Sequence, residues 1–515
     1  MNFNLASPFY EQARAQPENL ALRVSGKAYS YGELAALTGR AAAALGDARK
    51  VGVLASRTLG AYVGILASSW SGAAYIPLSP TKLPDERLAA ILEIIRPDAL
   101  IVDSAGLARM TPALRAIAPP LILDLSGQFN LLPELNSLTK ERVEAPSLRG
   151  ADDLAYVIFT SGTTGVAKGV VIKLGSIAQF LEAMRVRIKP VSADRISQTS
   201  ELSFDVSVFE MFLAWGSGAS VYVVPATQLM SPSHFITDHG LTIWSSVPSI
   251  AAFMRGVKTL KPGAFPSLRY SVFCGEALPY PLAEAWQAAA PSSIVENLYG
   301  PTEATVGCVS ATAGSEFPAT PTLNLVPSGL PLPGVEAAVV DESLAFLPVG
   351  EVGQLVIAGG QLAEGYYNEP ELTRERFPTI DGKRWYLTGD LTRQDEHGAF
   401  HHLGRMDRQI KLMGQRVELE EIEAHLRSVS NSDNVAAVAW PIEDGLVQGV
   451  VGFTSGVSAS PQELLDLLRR RLPLYMVPRR IVQLDELPHT SSGKIDRNAL
   501  VLPLNESPSL YEEAS

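Results

Sequence analysis

Cysteine is scarce in this chain, since only Cys274 and Cys308 occur among its 515 residues. Two cysteines in apolar or small-residue surroundings provide neither a disulfide framework nor a cysteine-rich metal cluster. We therefore expect a reducing compartment and a cytoplasmic protein. The seven histidines show no spacing typical of a metal site, and we expect them to be structural.

Long hydrophobic runs and an excess of basic charge are also missing. The chain begins Met-Asn-Phe-Asn-Leu, without a basic region followed by an apolar stretch, and nowhere do about eighteen apolar residues stand together. Neither a signal peptide nor a membrane span is therefore expected. The 42 Lys and Arg residues are outnumbered by 54 Asp and Glu residues, giving a net charge of −12. This acidic balance argues against non-specific binding to nucleic acid.

What the chain does have is length and the composition of a globular protein, with 46% hydrophobic and 19% charged residues. Because a domain typically contains about 100 to 200 residues, a chain of this length is expected to form about three compact units. The first 150 residues alternate helical patterns such as Tyr31–Leu45 with strand-like runs such as Lys50–Leu54. The same alternation returns from 154 to about 310. It indicates βαβ units, and we interpret the two stretches as two doubly wound α/β lobes.

The pattern changes between about 320 and 400, where short strands such as Val335–Val340 are separated by Pro and Gly. This pattern predicts a small, largely antiparallel β-barrel. Beyond it, helical and strand patterns alternate to the end of the chain and predict a compact α+β domain. We therefore expect a large N-terminal domain over 1–404, a hinge at 405–408 and a small, mobile C-terminal lid domain over 409–515.

A phosphate-binding loop is predicted at 160–169, which reads Thr-Ser-Gly-Thr-Thr-Gly-Val-Ala-Lys-Gly after the apolar run 154–159. Glycine lets backbone N–H groups approach an anion, hydroxyl groups donate hydrogen bonds, and lysine is a compact positive charge. The Walker A pattern does not fit, because Ala167 stands where that pattern has glycine and Gly169 where it has Ser or Thr. We therefore expect another scheme of phosphate binding. The alternative is an ordinary Ser/Thr/Gly surface turn.

Four further strings follow that loop in order along the chain. They read Asn-Leu-Tyr-Gly-Pro-Thr-Glu at 297–303, Tyr-Leu-Thr-Gly-Asp at 386–390, Gly-Arg-Met-Asp at 404–407 and Ser-Gly-Lys-Ile-Asp-Arg at 492–497. Together with the loop, their order and spacing resemble the AMP-forming adenylating superfamily. That superfamily includes acyl-CoA synthetases, firefly luciferase and the adenylation domains of nonribosomal peptide synthetases. The resemblance covers nearly the whole chain.

The resemblance implies an enzyme that uses ATP and Mg²⁺ to join a carboxylate to the α-phosphate, giving acyl-AMP and pyrophosphate. Because one anion approaches another, charge must be neutralised and the groups held in line. Glu303 is implied to hold the Mg²⁺, which prefers carboxylate and phosphate oxygens. The implied phosphate-binding residues are Thr160, Ser161, Gly162, Thr163, Thr164 and Lys168. The implied nucleotide-binding residues are Gly275, Glu276, Ala277, Asn297, Tyr299, Gly300, Thr302, Asp390 and Arg405.

Within that set, Tyr299 is implied to stack on adenine and Asp390 to accept the ribose hydroxyls. An aspartate after Thr-Gly is otherwise a turn cap. Lys494 is implied to be the catalytic cation of the first step, the alternative being a solvated loop charge. Asp407 is implied to be the hinge of a domain rotation, and Gly414 to line the entry of a thiol substrate.

The segment Phe-Asp-Val-Ser at 204–207 resembles the motif in which amino-acid adenylation domains pair an aspartate with the substrate α-ammonium. A charge-assisted hydrogen bond to Asp205 suits that role, although a buried structural aspartate is the alternative. The resemblance carries over a small, neutral and mostly apolar pocket, which excludes charged side chains. Its residues are Asp205, Val206, Phe209, Ser249, Val272, Cys274, Leu298, Val306 and Gly307.

The wider sequence around this pocket is most similar to free-standing L-prolyl ligases that charge a carrier protein in secondary metabolism. Ser249 and Gly307 depart from that pattern, so alanine, serine, 2-aminobutyrate and valine stay open beside proline. We see no phosphopantetheine-attachment motif, and we expect the acceptor carrier protein to be a separate chain. An acyl- or aryl-CoA ligase and a binding module without turnover are the alternatives.

Overall fold

The computed structural model describes residues 3–127, 142–162, 167–314, 318–320, 323–443, 445–490 and 494–506. The chain divides into two compact units. The first consists of Met1–Thr81, Leu92–Phe159 and Gly169–Met406, and the second of Lys82–Ile91, Thr160–Lys168 and Asp407–Ser515. No helix in the described ranges combines the length and the apolar character needed to span a bilayer.

The α-helices of the described residues are short to medium in length. Up to residue 300 they are Ser7–Ala15, Tyr31–Leu45, Leu59–Ser71, Asp85–Ile95, Ser104–Arg109, Pro112–Ile117, Leu174–Ile188, Val206–Gly216, Ser233–His239, Pro248–Gly256 and Tyr280–Ala289. Beyond it they are Pro370–Arg376, Leu419–Ser430, Pro461–Arg469 and Arg497–Glu506. Three 3₁₀ turns cover Ala226–Gln228, Thr302–Ala304 and Leu474–Met476.

Two large sheets form the first unit. In spatial order, the seven-stranded sheet contains Gly365–Tyr366, Lys168–Lys173, Leu154–Thr160, Ala74–Leu78, Lys50–Leu54, Ala99–Val102 and Leu121–Asp124. The nine-stranded sheet contains Leu330–Pro331, Val309–Thr312, Ile294–Tyr299, Tyr270–Cys274, Ile243–Ser246, Arg195–Gln198, Ser220–Val223, Leu20–Val24 and Lys27–Ser30. Parallel pairing dominates the middle of both sheets, as the βαβ rhythm predicts.

The two sheets confirm the doubly wound α/β lobes, but the predicted division of the chain between them is wrong. Leu154–Thr160 and Lys168–Lys173 join the sheet of the first lobe, while Leu20–Val24 and Lys27–Ser30 join the edge of the second. A strand has the same local sequence pattern in either sheet. Its partner is decided by long-range pairing, which periodicity does not contain.

The predicted antiparallel strands after residue 320 are confirmed. The strands Val335–Val340, Val352–Gly359, Tyr386–Gln394 and Phe400–Arg405 form a four-stranded antiparallel sheet. Thr379–Ile380 pairs with Lys383–Arg384 beside it. No closed barrel is recorded in the described residues, so the predicted β-barrel is replaced by an antiparallel sheet.

Local sequence explains several helix starts. Ser30 accepts the backbone N–H of Glu33, and the Glu33 side chain accepts the N–H of Ser30, which fixes the start of Tyr31–Leu45. Ser460 and Glu463 form the same capping box ahead of Pro461–Arg469. Proline suits the first helical turn because a backbone N–H at that position would have no acceptor within the helix.

Large aromatic side chains fill the cores of the first unit. Phe9 stacks on Tyr31 with ring centroids 5.4 Å apart and meets Trp215 edge to face at 5.8 Å. A second cluster contains Trp244 stacked on Trp286 at 5.9 Å. These rings bury much apolar area and favour offset or edge contacts.

The second unit is α+β, as predicted for the C-terminal region. Its sheets are, in spatial order, Gln415–Glu418, Gln409–Leu412, Leu446–Val447 and Ile442–Glu443, and then Val435–Ala439, Val450–Ser455 and Arg480–Leu484. The helices Leu419–Ser430 and Pro461–Arg469 pack apolar faces onto one buried cluster. The hinge at 405–408 and the lid domain over 409–515 stay predictions.

A buried carboxylate joins the helix Val206–Gly216 to the loop after strand Arg195–Gln198. Glu210 is fully buried and accepts hydrogen bonds from the backbone N–H groups of Thr199 and Ser200, both at 3.2 Å. The Gln198 amide donates to it at 3.1 Å. Burial raises the pKa of Glu210 to about 7 against the opposing effect of these hydrogen bonds.

The raised pKa of Glu210 predicts a pH dependence of stability. Between about pH 4.5 and pH 7 the unfolded chain ionises this carboxyl while the folded chain keeps it protonated, so stability falls as pH rises across that window. Glu210→Gln should flatten this slope, measured as melting temperatures from pH 4.5 to 8. The exposed Glu93→Gln variant should keep the wild-type slope. Equal slopes in Glu210→Gln and wild type would contradict the assignment.

Candidate active site

Three of the predicted nucleotide-binding residues lie in direct contact. Strand pairing places Asp390 opposite Arg405. Arg405 Nη1 donates to Asp390 Oδ1 at 3.0 Å and to the Thr388 carbonyl at 2.8 Å. The Tyr299 hydroxyl donates to Asp390 Oδ2. Burial and the negative charge of Asp390 raise the pKa of Tyr299 well above its ordinary value, so this phenol stays a donor.

The predicted adenine-side turn contacts the predicted side-chain pocket. Gly275 follows strand Tyr270–Cys274 with φ at +92°, a conformation that favours glycine. The next residue, Glu276, accepts the Ser249 backbone N–H at 2.9 Å and the Ser249 hydroxyl. The Ser249 hydroxyl therefore already donates its hydrogen bond to the Glu276 carboxylate. Asn297 donates its side-chain amide to the carbonyls of Val326 and Pro327 and so anchors that segment.

Glu303, the predicted Mg²⁺ ligand, is buried in the 3₁₀ turn Thr302–Ala304. The Tyr366 hydroxyl donates to Glu303 Oε1 at 2.7 Å, and the backbone N–H of Ala363 donates to the Glu303 carbonyl at 2.8 Å. The described residues contain no group of three or more His, Cys, Asp and Glu side chains placed to hold a metal. One buried carboxylate fits a Mg²⁺ ion whose other ligands are phosphate oxygens and water.

The loop after Glu303 is strained and closely packed. Thr305 and Val306 have φ values of +58° and +68°, which cost about 1–3 kcal/mol each in a non-glycine residue. A Cβ on Gly300 would lie 2.5 Å from the Cα of Gly307. A Cβ on Gly307 would lie 2.5 Å from Leu298 Cδ1. Glycine at both positions lets the loop approach the end of strand Ile294–Tyr299.

Six of the nine predicted amino-acid pocket residues belong to one large buried cluster or pack against it. Phe209, Val272, Cys274, Leu298 and Val306 are members of it, and Val206 packs against it. Asp205 is 8% exposed and precedes the helix Val206–Gly216. Its negative charge, after burial, raises the pKa of Tyr75 and Tyr156. Within the described residues, the hydroxyls of these two tyrosines are buried without a hydrogen-bond partner.

Part of the predicted phosphate loop lies in the second unit. The Ser161 hydroxyl donates to the Arg416 carbonyl at 2.9 Å, and the Gly162 N–H donates to Glu421 Oε2 at 3.1 Å. Thr160 has a buried hydroxyl without a hydrogen-bond partner in the described chain. An amide that binds a carboxylate oxygen and an unpartnered hydroxyl suit an anion such as phosphate. Thr163 and Thr164 lie outside the described residues.

Lys494 lies on an exposed turn of the second unit. The backbone N–H of Thr490 donates to the Lys494 carbonyl at 2.7 Å, and the Lys494 N–H donates to Thr490 Oγ1 at 3.3 Å. His489 and Ile495 form a β-bridge across this turn. The turn therefore holds the backbone of Lys494 while its side chain is exposed.

The predicted hinge and thiol-entry residues occupy turns as well. Asp407 begins the second unit, and its carboxylate accepts the Gln409 N–H at 3.1 Å. Met413 and Gly414 have φ values of +50° and +76° and connect two paired strands. Positive φ at both central residues is typical of a type I′ hairpin turn, which explains glycine at 414. Their functional roles stay predictions.

Comparisons with known proteins identify the family of this chain. A model of the AMP-binding enzyme family matches residues 9–367, and a model of the AMP-binding enzyme C-terminal domain matches residues 421–494. The chain belongs to the AMP-binding enzyme family. This confirms the resemblance found in the sequence, and the matched family is one of enzymes that use ATP with Mg²⁺.

Relatives of this AMP-binding enzyme include one of similar length and several much longer proteins. Novobiocin biosynthesis protein H of Streptomyces niveus is 34% identical over 97% of this chain and 82% of its own length. Tyrocidine synthase 1 of Brevibacillus parabrevis is 32% identical over 98% of this chain and 45% of its own length. A linear gramicidin synthase polypeptide of the same organism is 34% identical over 96% of this chain and 9% of its own length. The chain thus corresponds to a part of those two longer relatives.

Solved structures extend the likeness to the whole fold. The Vibrio cholerae adenylation domain AlmE, in complex with glycyl-adenosine-5′-phosphate, is 32% identical with a TM-score of 0.89, and 98% of each chain is covered. IdnL7 is 34% identical with a TM-score of 0.72 and covers 98% of this chain and 100% of its own. The fold class, with a large N-terminal and a small C-terminal domain, is confirmed.

Sequence reasoning missed four polar residues, each of which holds neighbouring segments of its own unit together. They are Glu210, Gln361, Tyr366 and Glu423. The strings that carry the resemblance do not contain them, and a buried polar side chain on a helix or loop gives no periodic signal. The one sign was the placement of Glu210 among apolar neighbours in a helical pattern.

Glu423 is the centre of an ion cluster in the second unit. Glu423 Oε1 accepts Arg408 Nη1 at 2.7 Å, Arg497 Nη2 at 2.8 Å and the Ala437 N–H at 3.0 Å. Burial acts to raise the pKa of Glu423, but these hydrogen bonds together lower it. The cluster links Arg408, the last residue of the predicted hinge, to Arg497, three residues after Lys494.

Glu423→Gln should destabilise the second unit at pH 7 by about 1–3 kcal/mol, because hydrogen bonds to a charged group are lost. A lowered pKa contributes stability above the ordinary carboxyl range, and this contribution disappears as pH falls through the folded-state pKa. The deficit should therefore shrink below about pH 4. Denaturant titrations at pH 7 and pH 3.5 measure it, with the exposed Glu443→Gln as control. A deficit that is equal at both pH values would contradict the ion-cluster account.

Proposed function

We propose that this enzyme activates a small neutral amino acid, with proline the first candidate, to aminoacyl-AMP. It then transfers the aminoacyl group to the phosphopantetheine thiol of a separate carrier protein in secondary metabolism. The observation that carries this proposal is Asp205, a buried carboxylate at the start of the helix that carries Phe209, close enough to raise the pKa of the buried Tyr75 and Tyr156. Two buried thiols, Cys274 and Cys308, favour a reducing, cytoplasmic setting.

An ammonium group pairs well with a buried carboxylate, because a charge-assisted hydrogen bond to it offsets the cost of burial. The other predicted pocket side chains carry no charge. The close contact of Gly307 with Leu298 leaves little room for a long substrate side chain. These features support a small substrate, and alanine, serine, 2-aminobutyrate and valine remain alternatives to proline.

The nucleotide-binding roles are part of the same proposal. Asp390, oriented by Arg405 and Tyr299, presents carboxylate oxygens suited to the ribose hydroxyls. Glu303 would hold Mg²⁺, which when bound neutralises charge on the phosphates. Thr160 and Gly162 would bind the departing pyrophosphate. Lys494 would stabilise charge as the carboxylate attacks the α-phosphate.

The thioester step is proposed to use the second unit. Asp407 would be the hinge, and the turn at Gly414 would line the thiol entry. An acyl- or aryl-CoA ligase is the second candidate. o-Succinylbenzoate CoA synthetase from Bacillus subtilis has a TM-score of 0.82 but is 22% identical, so that likeness concerns the fold alone. Asp205 favours an α-amino acid over an acid without an ammonium group.

Amino-acid-dependent ATP–pyrophosphate exchange, measured with all proteinogenic amino acids and with fatty and aryl acids, tests the substrate class. We expect exchange with a small neutral amino acid. Asp205→Ala should raise its Michaelis constant by about tenfold or more, since one charged hydrogen bond contributes about 1.5–3 kcal/mol. The exposed Asp47→Ala variant is the control. Exchange with acyl or aryl acids alone, or an unchanged Michaelis constant in Asp205→Ala, would overturn the proposal.

Lys494→Ala should separate the two half-reactions. We expect loss of pyrophosphate exchange by about 100-fold or more, since charge stabilisation at the reacting phosphate is removed. Transfer from preformed aminoacyl-AMP to the carrier protein should be retained. Lys258→Ala, another exposed lysine, is the matched control. Equal loss of both half-reactions would contradict the assigned role of Lys494.

A further inference from the structure

One loop carries residues proposed for both substrates. Glu303 is proposed to hold Mg²⁺, and Val306 and Gly307, three and four residues later, are proposed to line the amino-acid pocket. Thr305 and Val306 have positive φ values. A strained loop persists only where surrounding contacts over-determine its shape. The contacts that hold this loop therefore act on both halves of the site.

Segment 361–366, which we name the clasp, supplies such contacts. Its backbone takes part at two points: the Ala363 N–H donates to the Glu303 carbonyl at 2.8 Å, and the Thr305 hydroxyl donates to the Gln361 carbonyl. Two clasp side chains, Gln361 and Tyr366, reach the loop as well. The clasp is about sixty residues away in sequence, so its contacts are tertiary.

Gln361 holds the amino-acid end of the loop. It is 1% exposed, and its Nε2 donates to the Gly307 carbonyl at 2.8 Å and to the Ala304 carbonyl at 3.3 Å. Because both partners are carbonyl oxygens, the NH₂ end of the amide must face them. Gln361 thus bridges the two ends of the strained turn and fixes Gly307 against Leu298.

Tyr366 holds the Glu303 end. Its hydroxyl donates to Glu303 Oε1 at 2.7 Å. The tyrosine is itself fixed, because its ring meets Phe377 edge to face at 5.9 Å and its backbone N–H donates to Thr373 Oγ1 at 3.0 Å. A rigidly held phenol sets the rotation of the carboxylate that accepts its hydrogen bond.

We propose that Tyr366 and Gln361 are positioning residues of this enzyme, Tyr366 for the metal–nucleotide end of the loop and Gln361 for the amino-acid pocket. The inference rests on the proposed role of Glu303 as Mg²⁺ ligand and of the 306–307 loop as pocket wall. Tyr366 acts on the affinity for the metal ion, because it contacts the Glu303 carboxylate. Gln361 acts on the Michaelis constant of the amino acid, because it contacts the Gly307 carbonyl in the pocket wall.

Tyr366→Phe tests the metal end, with Tyr367→Phe as a matched control. The Tyr367 hydroxyl instead contacts Lys50 Nζ, at 2.9 Å. We expect Tyr366→Phe to raise the Mg²⁺ concentration for half-maximal exchange about tenfold, which corresponds to about 1.4 kcal/mol. Mn²⁺ binding to the protein with a non-hydrolysable ATP analogue, followed by electron paramagnetic resonance, should weaken to the same extent. The amino-acid Michaelis constant should stay within about twofold, as should all constants of Tyr367→Phe.

Gln361→Met tests the pocket end, because methionine keeps the shape but removes both donors. We expect the Michaelis constant of the best amino acid from the exchange panel to rise about tenfold, with Mn²⁺ binding unchanged. Gln448→Met, which removes an amide of the second unit, is the control. Melting temperatures show whether each variant is folded, and an unfolded Gln361→Met leaves the test to Tyr366→Phe.

Three outcomes overturn the proposal. Equal Mn²⁺ affinity in Tyr366→Phe and wild type removes the metal-end role, and equal effects of both variants on both constants show a merely structural clasp. Glu303→Gln separates the proposal from its premise. If Glu303→Gln weakens Mn²⁺ binding and Tyr366→Phe does not, the clasp assignment alone fails. If Glu303→Gln leaves Mn²⁺ binding unchanged, the proposed role of Glu303 fails and the metal-end role of Tyr366 fails with it.

Discussion

The close approach of two backbone segments after strand Ile294–Tyr299 is the constraint on which the site depends. Gly300 and Gly307 lie so near each other that a side chain on either would collide with its neighbours. This approach brings Tyr299, Glu303 and the pocket wall into one short stretch. Because protein interiors are densely packed, a shift of this turn is not absorbed locally. It would move residues assigned to both substrates.

Buried carboxylates are the second recurring element, and hydroxyl groups orient most of them. Tyr299 donates to Asp390, Tyr366 to Glu303, and Ser249 to Glu276. A hydroxyl fixes the rotation of a carboxylate without neutralising its charge, so Glu303 and Glu276 still attract cations or accept further hydrogen bonds, whereas Asp390 also pairs with Arg405. Glu423 differs, since two arginines neutralise it. Glu423 is therefore suited to connecting segments of the second unit and not to binding a ligand.

Sequence patterns located most elements of this fold. The helix Tyr31–Leu45 and the strands Lys50–Leu54 and Val335–Val340 have the predicted bounds, because their amphipathic periods and capping residues are local properties. The assignment of strands to sheets was wrong where it relied on chain order. Strand Leu20–Val24 pairs with Ser220–Val223, and no local pattern encodes a pairing across two hundred residues.

The sequence by itself determined the family, and it predicted a phosphate loop and a set of site residues spread over more than three hundred positions. It could do so because motifs record which side chains a reaction requires. Tertiary structure alone decided how those residues are held, through the contacts of Tyr366 with Glu303, Gln361 with Gly307 and Arg497 with Glu423. The physical reason is that a buried hydrogen bond depends on distance and direction between segments remote in sequence, and neither quantity appears in a linear pattern.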